Sequence, residues 1–347
     1  MITKIIKLSE KSFKIDEIKI AVETIINGGL VAFPTETVYG LGANAFNIEA
    51  VEKIYEVKGR PKDNPFIVHI ADKKDVSKLA SEIPVKAERL MKKFWPGPLT
   101  LIFKKSKVVP DVATAGLDTV AIRMPDNKIA SALIKESKVP IAAPSANLAG
   151  KPSPTSAEHV INDLYGKIDV IIDSGKTRIG VESTVLDLTT HPPTLLRPGG
   201  ITLEELESVL GKIKLHPVVK AEREIRKITA KSPGMKYRHY APEADLIVVE
   251  GKERAVRRKI QELVNEYKSE KKKVGIITIS KHDYDSDVIK FAGKDLTTIA
   301  KNLFRIFREF DKERVNVIIA EGVKTSGMGL AIMNRLKKAS GYNVIKA

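Results

Sequence analysis

Lys58, Arg60 and Lys62 place three cations within five residues, in the run Lys58-Gly59-Arg60-Pro61-Lys62-Asp63-Asn64-Pro65 that follows a predicted helix end. Two prolines and a glycine fix that turn, so the charges share one target. A triphosphate suits them, because each contact is then a charge-assisted hydrogen bond. Taken alone, the segment reads equally as a solvated basic turn.

Other polar segments stand at the ends of predicted strands. Pro34-Thr35-Glu36-Thr37-Val38-Tyr39-Gly40-Leu41-Gly42 is rich in hydroxyls, with two glycines that let backbone approach a ligand. It is no dinucleotide fingerprint, because the third glycine is missing. Ala143-Pro144-Ser145-Ala146-Asn147 and Gly150-Lys151-Pro152-Ser153-Pro154-Thr155 offer hydroxyl, amide and helix-N-terminal donors to an anion. Gly180-Val181-Glu182-Ser183-Thr184 opens one strand and Arg197-Pro198-Gly199 ends another. Each is ordinary turn chemistry by itself, but a sheet gathers its strand ends at one crevice. His69 lies inside an apolar strand, where a satisfied core histidine is the commoner outcome. Neither Ser145 nor Ser183 has nucleophile-elbow spacing, and Gly322-Val323-Lys324-Thr325-Ser326-Gly327-Met328-Gly329 fails as a P-loop for want of the required Lys.

The elements that position these residues alternate short β-branched runs with amphipathic helical stretches. A helix spans about 16–26, stopping at Gly28-Gly29 before a strand at 30–33. Asn47 caps a helix that runs to Lys58 and stops at Gly59; Asp126 caps another; Thr155 with Glu158 and Thr202 with Glu205 form capping boxes. Strands are expected at 66–70, 99–103, 120–123, 141–143, 170–173, 183–188 and 194–197. Loops separate several of them, so the fold class is α/β, a twisted mixed sheet with flanking helices. Periodicity lapses through 212–242, read as a linker, and restarts over 243–347 as a smaller Rossmann-like parallel α/β domain; the first domain is 1–211.

Composition bounds the function. The chain has 347 residues, no cysteine and six histidines without a close pair, which excludes disulfides, thiolate nucleophiles and cysteine-ligated zinc. Metal is expected to arrive with a phosphate. No apolar run nears the ~20 residues of a membrane span and no signal-peptide pattern opens the chain, so a cytoplasmic location without membrane association is expected. The net charge of +16 suits a polyanion, yet residues 1–210 are almost charge-balanced and the excess lies in the linker and tail.

In this order, the segments Pro34 to Leu41, Lys58-Gly59-Arg60-Pro61, Trp95-Pro96-Gly97-Pro98-Leu99-Thr100, Arg123-Met124-Pro125, Ala143 to Asn147 and Glu182-Ser183-Thr184-Val185 resemble the threonylcarbamoyl-AMP synthase family, with its YrdC-type catalytic domain. Ser232-Pro233-Gly234-Met235-Lys236-Tyr237-Arg238-His239-Tyr240-Ala241-Pro242 is similar to the linker signature of the long two-domain branch. Phe66 stands where leucine is common and Leu186 where valine is common, both conservative apolar departures.

The resemblance implies a nucleotidyltransferase that joins L-threonine, bicarbonate or CO2, and ATP into L-threonylcarbamoyl-AMP, releasing pyrophosphate. It further implies Mg2+ carried with ATP, a downstream threonylcarbamoyl transferase system acting on tRNA, and direct tRNA binding as compatible but not required. By the same resemblance Lys58, Arg60 and Lys62 meet the phosphates, with Lys58 and Arg60 carrying the catalysis. Ser145, Asn147, Ser153, Arg197, Tyr237 and the backbone of Ala143 complete the nucleotide site, and Thr119 touches either substrate. Thr35, His69, Arg123 and Ser183 hold threonine, Arg123 through its carboxylate. The linker is expected to close over the site. The rival from another class is a module that grips double-stranded RNA or tRNA without catalysis; a carbamoyltransferase relative would carry zinc-finger modules that a cysteine-free chain lacks.

Overall fold

The computed structural model describes residues 2–221, 230–233, 235, 240–280 and 283–347. They fall into two compact units. The first comprises the described residues of Met1–Ala149, Ser153–Lys220 and Arg226–Lys236; the second comprises those of Gly150–Pro152, Ala221–Ile225 and Tyr237–Ala347.

In the first unit, the described strands are β1 (Lys4–Lys7), β2 (Val31–Phe33), β3 (Gly40–Asn44), β4 (Ile67–His69), β5 (Leu99–Lys104), β6 (Thr119–Arg123), β7 (Ile141–Ala143), β8 (Val170–Asp173), β9 (Thr184–Asp187), β10 (Thr194–Arg197) and β11 (Lys214–Leu215). They form one mixed sheet in the order β1-β8-β2-β3-β7-β4-β6-β5-β9-β10-β11. Pairing is parallel for β4 with β6 and β5 with β9, and antiparallel for β4 with β7 and β5 with β6.

Because side chains alternate across a pleated sheet, the register decides which residues share a face. His69 is opposite Arg123 and Ile141, and Thr100 is opposite Arg123 and Val185, so these lie on one face, in a row across the interior strands of the sheet. At one end of that face the helices Lys19–Ile26 and Lys128–Ser137 bury Ala21, Ile25, Ile129 and Leu133 against Phe33 and Ala143. At the other end Ala230 and Met235, from the segment read as a linker, pack on Ile67, Ile102, Ala121, Val185 and Leu196.

The second unit is a five-stranded, all-parallel sheet of β12 (Asp245–Glu250), β13 (Val274–Thr278), β14 (Val288–Phe291), β15 (Val317–Glu321) and β16 (Val344–Lys346) in the order β14-β13-β15-β12-β16. Helix Glu253–Ser269 covers one face through Val256, Ile260, Leu263 and Val264. Helix Leu296–Glu313 covers the other, where Gly275 leaves room for the Phe310 ring; a Cβ there would stand 2.5 Å from it. Tyr240 stacks on Phe304 at 5.3 Å with the Arg335 guanidinium 5.2 Å from its ring, which ties the end of the linker region to this unit.

Local expectations meet specific differences. The helix Ile48–Lys58 has Asn47 accepting from Ala50 N–H and ends at Gly59 with φ of 60°, and Thr202 with Glu205 closes a capping box. The cap of Lys128–Ser137 is Asn127, not Asp126, and helix Ala157–Leu164 starts at Ser156 without a side-chain cap; Thr155 N–H instead donates to His159 Nδ1. Residues 212–220 are not featureless: Lys214–Leu215 pairs with β10, and Pro217–Lys220 is a helical turn. β1 and β3 gave no periodic signal because one is a lysine-flanked edge strand and the other is mostly glycine and alanine. Among the described residues no helix is long and apolar enough to cross a membrane.

Candidate active site

Lys58, the last residue of its helix, is buried, and its ammonium donates to the carbonyls of Ser145 at 2.5 Å and of Asn147. The Ser145–Asn147 loop is held from its far side by Leu41 N–H to Pro144 O and Ala146 N–H to Tyr39 O, both 2.9 Å. Ser145 Oγ donates to Asn147 Oδ1 at 2.5 Å. A cation is thus fixed against the loop that carries two polar side chains, the kind of preorganised arrangement that phosphoryl chemistry needs.

Arg60 points elsewhere. Its guanidinium donates to Asn64 O and Pro65 O at 3.2 Å each and lies 5.4 Å from the Phe66 ring, so it braces the turn leading into β4. Lys62 is exposed and meets Glu52 at 3.3 Å. Of the three cations, the structure brings Lys58 to the Ser145–Asn147 loop and leaves Lys62 at the surface.

A second group lies across the interior strands β4, β6 and β5. Arg123 is 3% exposed, with Nη2 2.7 Å from Oε2 of Glu36, itself 2% exposed. His69 is its cross-strand neighbour. Burial, and then the Arg123 charge, push the His69 imidazole down to about 3, so the ring is neutral at physiological pH. Its Nδ1 sits 3.1 Å from Ile67 O and its ring edge meets Phe33. Ser183 Oγ is 2.7 Å from Thr100 Oγ1 and accepts from Arg197 Nη2 at 3.1 Å. Arg197 also donates to Ser183 O and to Pro233 O, which ties residue 233 to β10. Gly199 is demanded here, because a Cβ would stand 2.3 Å from Glu182 O.

Thr35 Oγ1 accepts from the Thr37 and Val38 N–H groups and donates to Val38 O, so its hydroxyl shapes the Pro34–Val38 turn. Tyr39 donates to Gly175 O at 2.7 Å, and burial pushes its phenol up to about 12. Ser153 is buried and donates to Glu182 Oε1 at 2.6 Å. Thr119 and Ala143 are buried on the same sheet face as Arg123 and His69. Tyr237 lies outside the described residues, as do Lys236 and Arg238.

Sequence reasoning named neither Glu36, Thr100 nor Glu182 among the site residues, although all three stand inside the motifs it singled out. Their signal was position: each lies within one residue of a named site residue or opposite one in register. Among the described residues no group of three or more His, Asp or Glu side chains is arranged to hold a metal ion.

Comparison with known proteins places the whole chain. A family model described as "Telomere recombination" matches residues 23–199, and one described as "Threonylcarbamoyl-AMP synthase, C-terminal domain" matches 201–341. A threonylcarbamoyl-AMP synthase of Pyrococcus abyssi is 60% identical over 330 residues, covering 95% of this chain and 96% of the relative. One from Bacillus subtilis is 54% identical, covering 91% of each chain. The crystal structure of P. abyssi Sua5 complexed with L-threonine superposes with a TM-score of 0.95 at 57% identity, covering all of both chains. Both halves are matched in order, the relatives covering 95% and 91% of the chain, and the chain belongs to the threonylcarbamoyl-AMP synthase family.

Proposed function

We infer that the chain is an L-threonylcarbamoyladenylate synthase, condensing L-threonine, bicarbonate or CO2, and ATP into L-threonylcarbamoyl-AMP and pyrophosphate for the threonylcarbamoyladenosine modification of tRNA. The observation that carries this reading is the match, over 91% and 95% of the chain, to synthases at 54% and 60% identity. The geometry supports it chemically. A carbamate made on the threonine amine is already nucleophilic toward the α-phosphate, so the protein needs no strong base, and the neutral His69 offers none. What the reaction requires is orientation and charge stabilisation, to which the fixed Lys58 ammonium and the Ser145–Asn147 loop contribute on the nucleotide side. The Arg123, His69 and Ser183–Thr100 group takes threonine, with Arg123 on its carboxylate.

Mg2+ enters as part of the substrate Mg·ATP, since a magnesium ion is commonly held by substrate phosphates rather than by an all-protein cage. The segment from Ser232 to Pro242 closes the site as a lid, keeping water from a mixed anhydride that hydrolyses readily. In support, Pro233 O is bonded to Arg197, and Ala230 and Met235 pack on the same sheet face. The product passes to a separate threonylcarbamoyl transferase system; tRNA is not a substrate of this step. The deciding experiment is pyrophosphate release with each substrate omitted in turn. Release that depends on ATP, threonine and bicarbonate together supports the assignment, and release without threonine refutes it.

A further inference from the structure

Glu36 carries a buried carboxylate in the middle of the site. It is 2% accessible, neither carboxylate oxygen makes a hydrogen bond among the described residues, and it forms a contact ion pair with Arg123, whose Nη2 is 2.7 Å from Oε2, while the more exposed Arg178 also acts on it electrostatically. A buried carboxylate normally accepts several donors, because losing water without replacement costs more than a single contact returns. Arg123 is similarly placed, with an Nη2 that makes no hydrogen bond of good geometry. The backbone around Glu36 is well held, Ile179 N–H donating to its carbonyl at 2.8 Å and Gly180 N–H to that of Thr37 at 3.1 Å. The turn that carries the side chain is therefore fixed. The two opposite charges stand side by side, each with hydrogen-bonding capacity in reserve, beside the cross-strand row that carries His69, Thr100 and Ser183.

We propose that the Glu36–Arg123 pair is the receptor for the zwitterionic head of the amino-acid substrate, with Glu36 accepting from its amino group while Arg123 binds its carboxylate. This rests on the reading above that Arg123 meets the threonine carboxylate. A zwitterion laid against a buried ion pair adds no net charge to the site and supplies each protein ion with the partner it lacks, which a lone arginine facing a lone carboxylate does not do. It also explains why a carboxylate sits in a site whose other substrate is a polyanion: it selects against amine-free acids. It holds the nitrogen at the position from which carbamate formation starts. Glu36 is thereby a binding and specificity residue for threonine, not for ATP.

The test is calorimetric titration of the full chain and of Glu36→Gln and Glu36→Asp with three probes: L-threonine, L-threoninol, which keeps the amine but lacks the carboxylate, and (R)-3-hydroxybutanoate, which keeps the carboxylate but lacks the amine. E36Q is expected to lose about 10- to 100-fold in affinity for threonine and threoninol alike, as for a lost charge-assisted hydrogen bond, while 3-hydroxybutanoate affinity and ATP affinity stay within about twofold. E36D, which keeps the charge, is expected to fall between. Unchanged threonine affinity in E36Q overturns the proposal, and so does an equal loss for all three probes, which would mean that Glu36 acts only by positioning Arg123. Should E36Q not fold, the wild-type arm decides alone: 3-hydroxybutanoate binding as tightly as threonine overturns it. A wild-type chain that binds no threonine sinks the substrate reading itself, a result distinct from normal wild-type binding with an unaffected variant.

Discussion

The Lys58 ammonium donates to the Ser145 carbonyl at 2.5 Å, bridging a helix C-terminus to the loop after β7 across 87 residues of sequence. The cation thus has two roles, presenting charge and fixing the loop that carries Ser145 and Asn147.

Lys58→Ala should lower pyrophosphate release at least ~100-fold, the scale of removing one charge-stabilising donor. It should also cost about 1–3 kcal/mol of stability, because the Ser145 and Asn147 carbonyls lose a buried donor. Steady-state kinetics and thermal melts of the same preparation check both. Lys58→Arg should not rescue turnover, since a planar fork cannot reproduce the ammonium's convergence on two carbonyls. Full activity in either variant would remove Lys58 from the machinery.

Ser183 and Thr100 should behave as one unit. Their hydroxyls are 2.7 Å apart and both residues are fully buried, so Ser183→Ala and Thr100→Val should be non-additive, with a coupling of about 0.5–3 kcal/mol in threonine affinity. Strict additivity in the double-mutant cycle would mean that the contact has no energetic consequence.

Threonine should be favoured over valine by ~100-fold or more in kcat/KM, because the buried Ser183 and Thr100 hydroxyls satisfy each other with only one of their two hydrogens, and the other is left without an acceptor when the substrate lacks a hydroxyl. Serine should be the nearest competitor, short of one methyl contact worth about 0.8 kcal/mol. Competition assays with the three amino acids settle the order.

His69 gives stability a pH dependence of defined sign. Its pKa in the fold is about 3 against 6.5 as a free side chain, so between those values the unfolded chain binds a proton that the native chain does not. Stability should therefore fall as pH drops through that window, by up to about 1.4 kcal/mol per unit, and be unaffected by His69 above pH 7. His69→Gln should flatten this part of the stability curve, followed by denaturant titration from pH 7 to 4. An unchanged slope would show that the ring is not buried neutral.

Cutting the chain after Gly211 would not isolate a clean catalytic domain. Met235 and Ala230 cover Ile67, Ile102, Ala121, Val185 and Leu196, so truncation exposes that patch. Met235→Ala in the full chain should lower stability by about 2–5 kcal/mol. Tyr237→Ala, aimed at the proposed closure of the lid, should reduce product yield per ATP consumed, measured as threonylcarbamoyl-AMP formed against ATP used. Equal yields in variant and wild type would leave the lid without support.

Much of this protein was decided locally, and local features were legible. Asn47 and Gly59 bound a helix by cap chemistry that depends only on neighbouring residues, and the strands bearing His69, Thr100 and Arg123 announced themselves as short apolar runs. Most of the second domain's succession was equally plain, because parallel strands buried on both faces are continuous apolar runs, whereas the short, part-exposed edge strand β16 was not read. The ordered motifs carried the family resemblance for the same reason: they are contiguous in sequence. What the tertiary structure alone decided is which residues face one another. Sheet order and register are set by pairing between segments far apart in the chain, so they placed Thr100 against Ser183 and Arg123 beside Glu36, a residue that in sequence is one polar member of a turn. They turned Arg60 toward the Asn64 carbonyl although it is two residues from Lys58, and folded Met235 onto a sheet whose strands precede it by 40 to 170 residues, because burying an apolar face rewards contact irrespective of sequence distance.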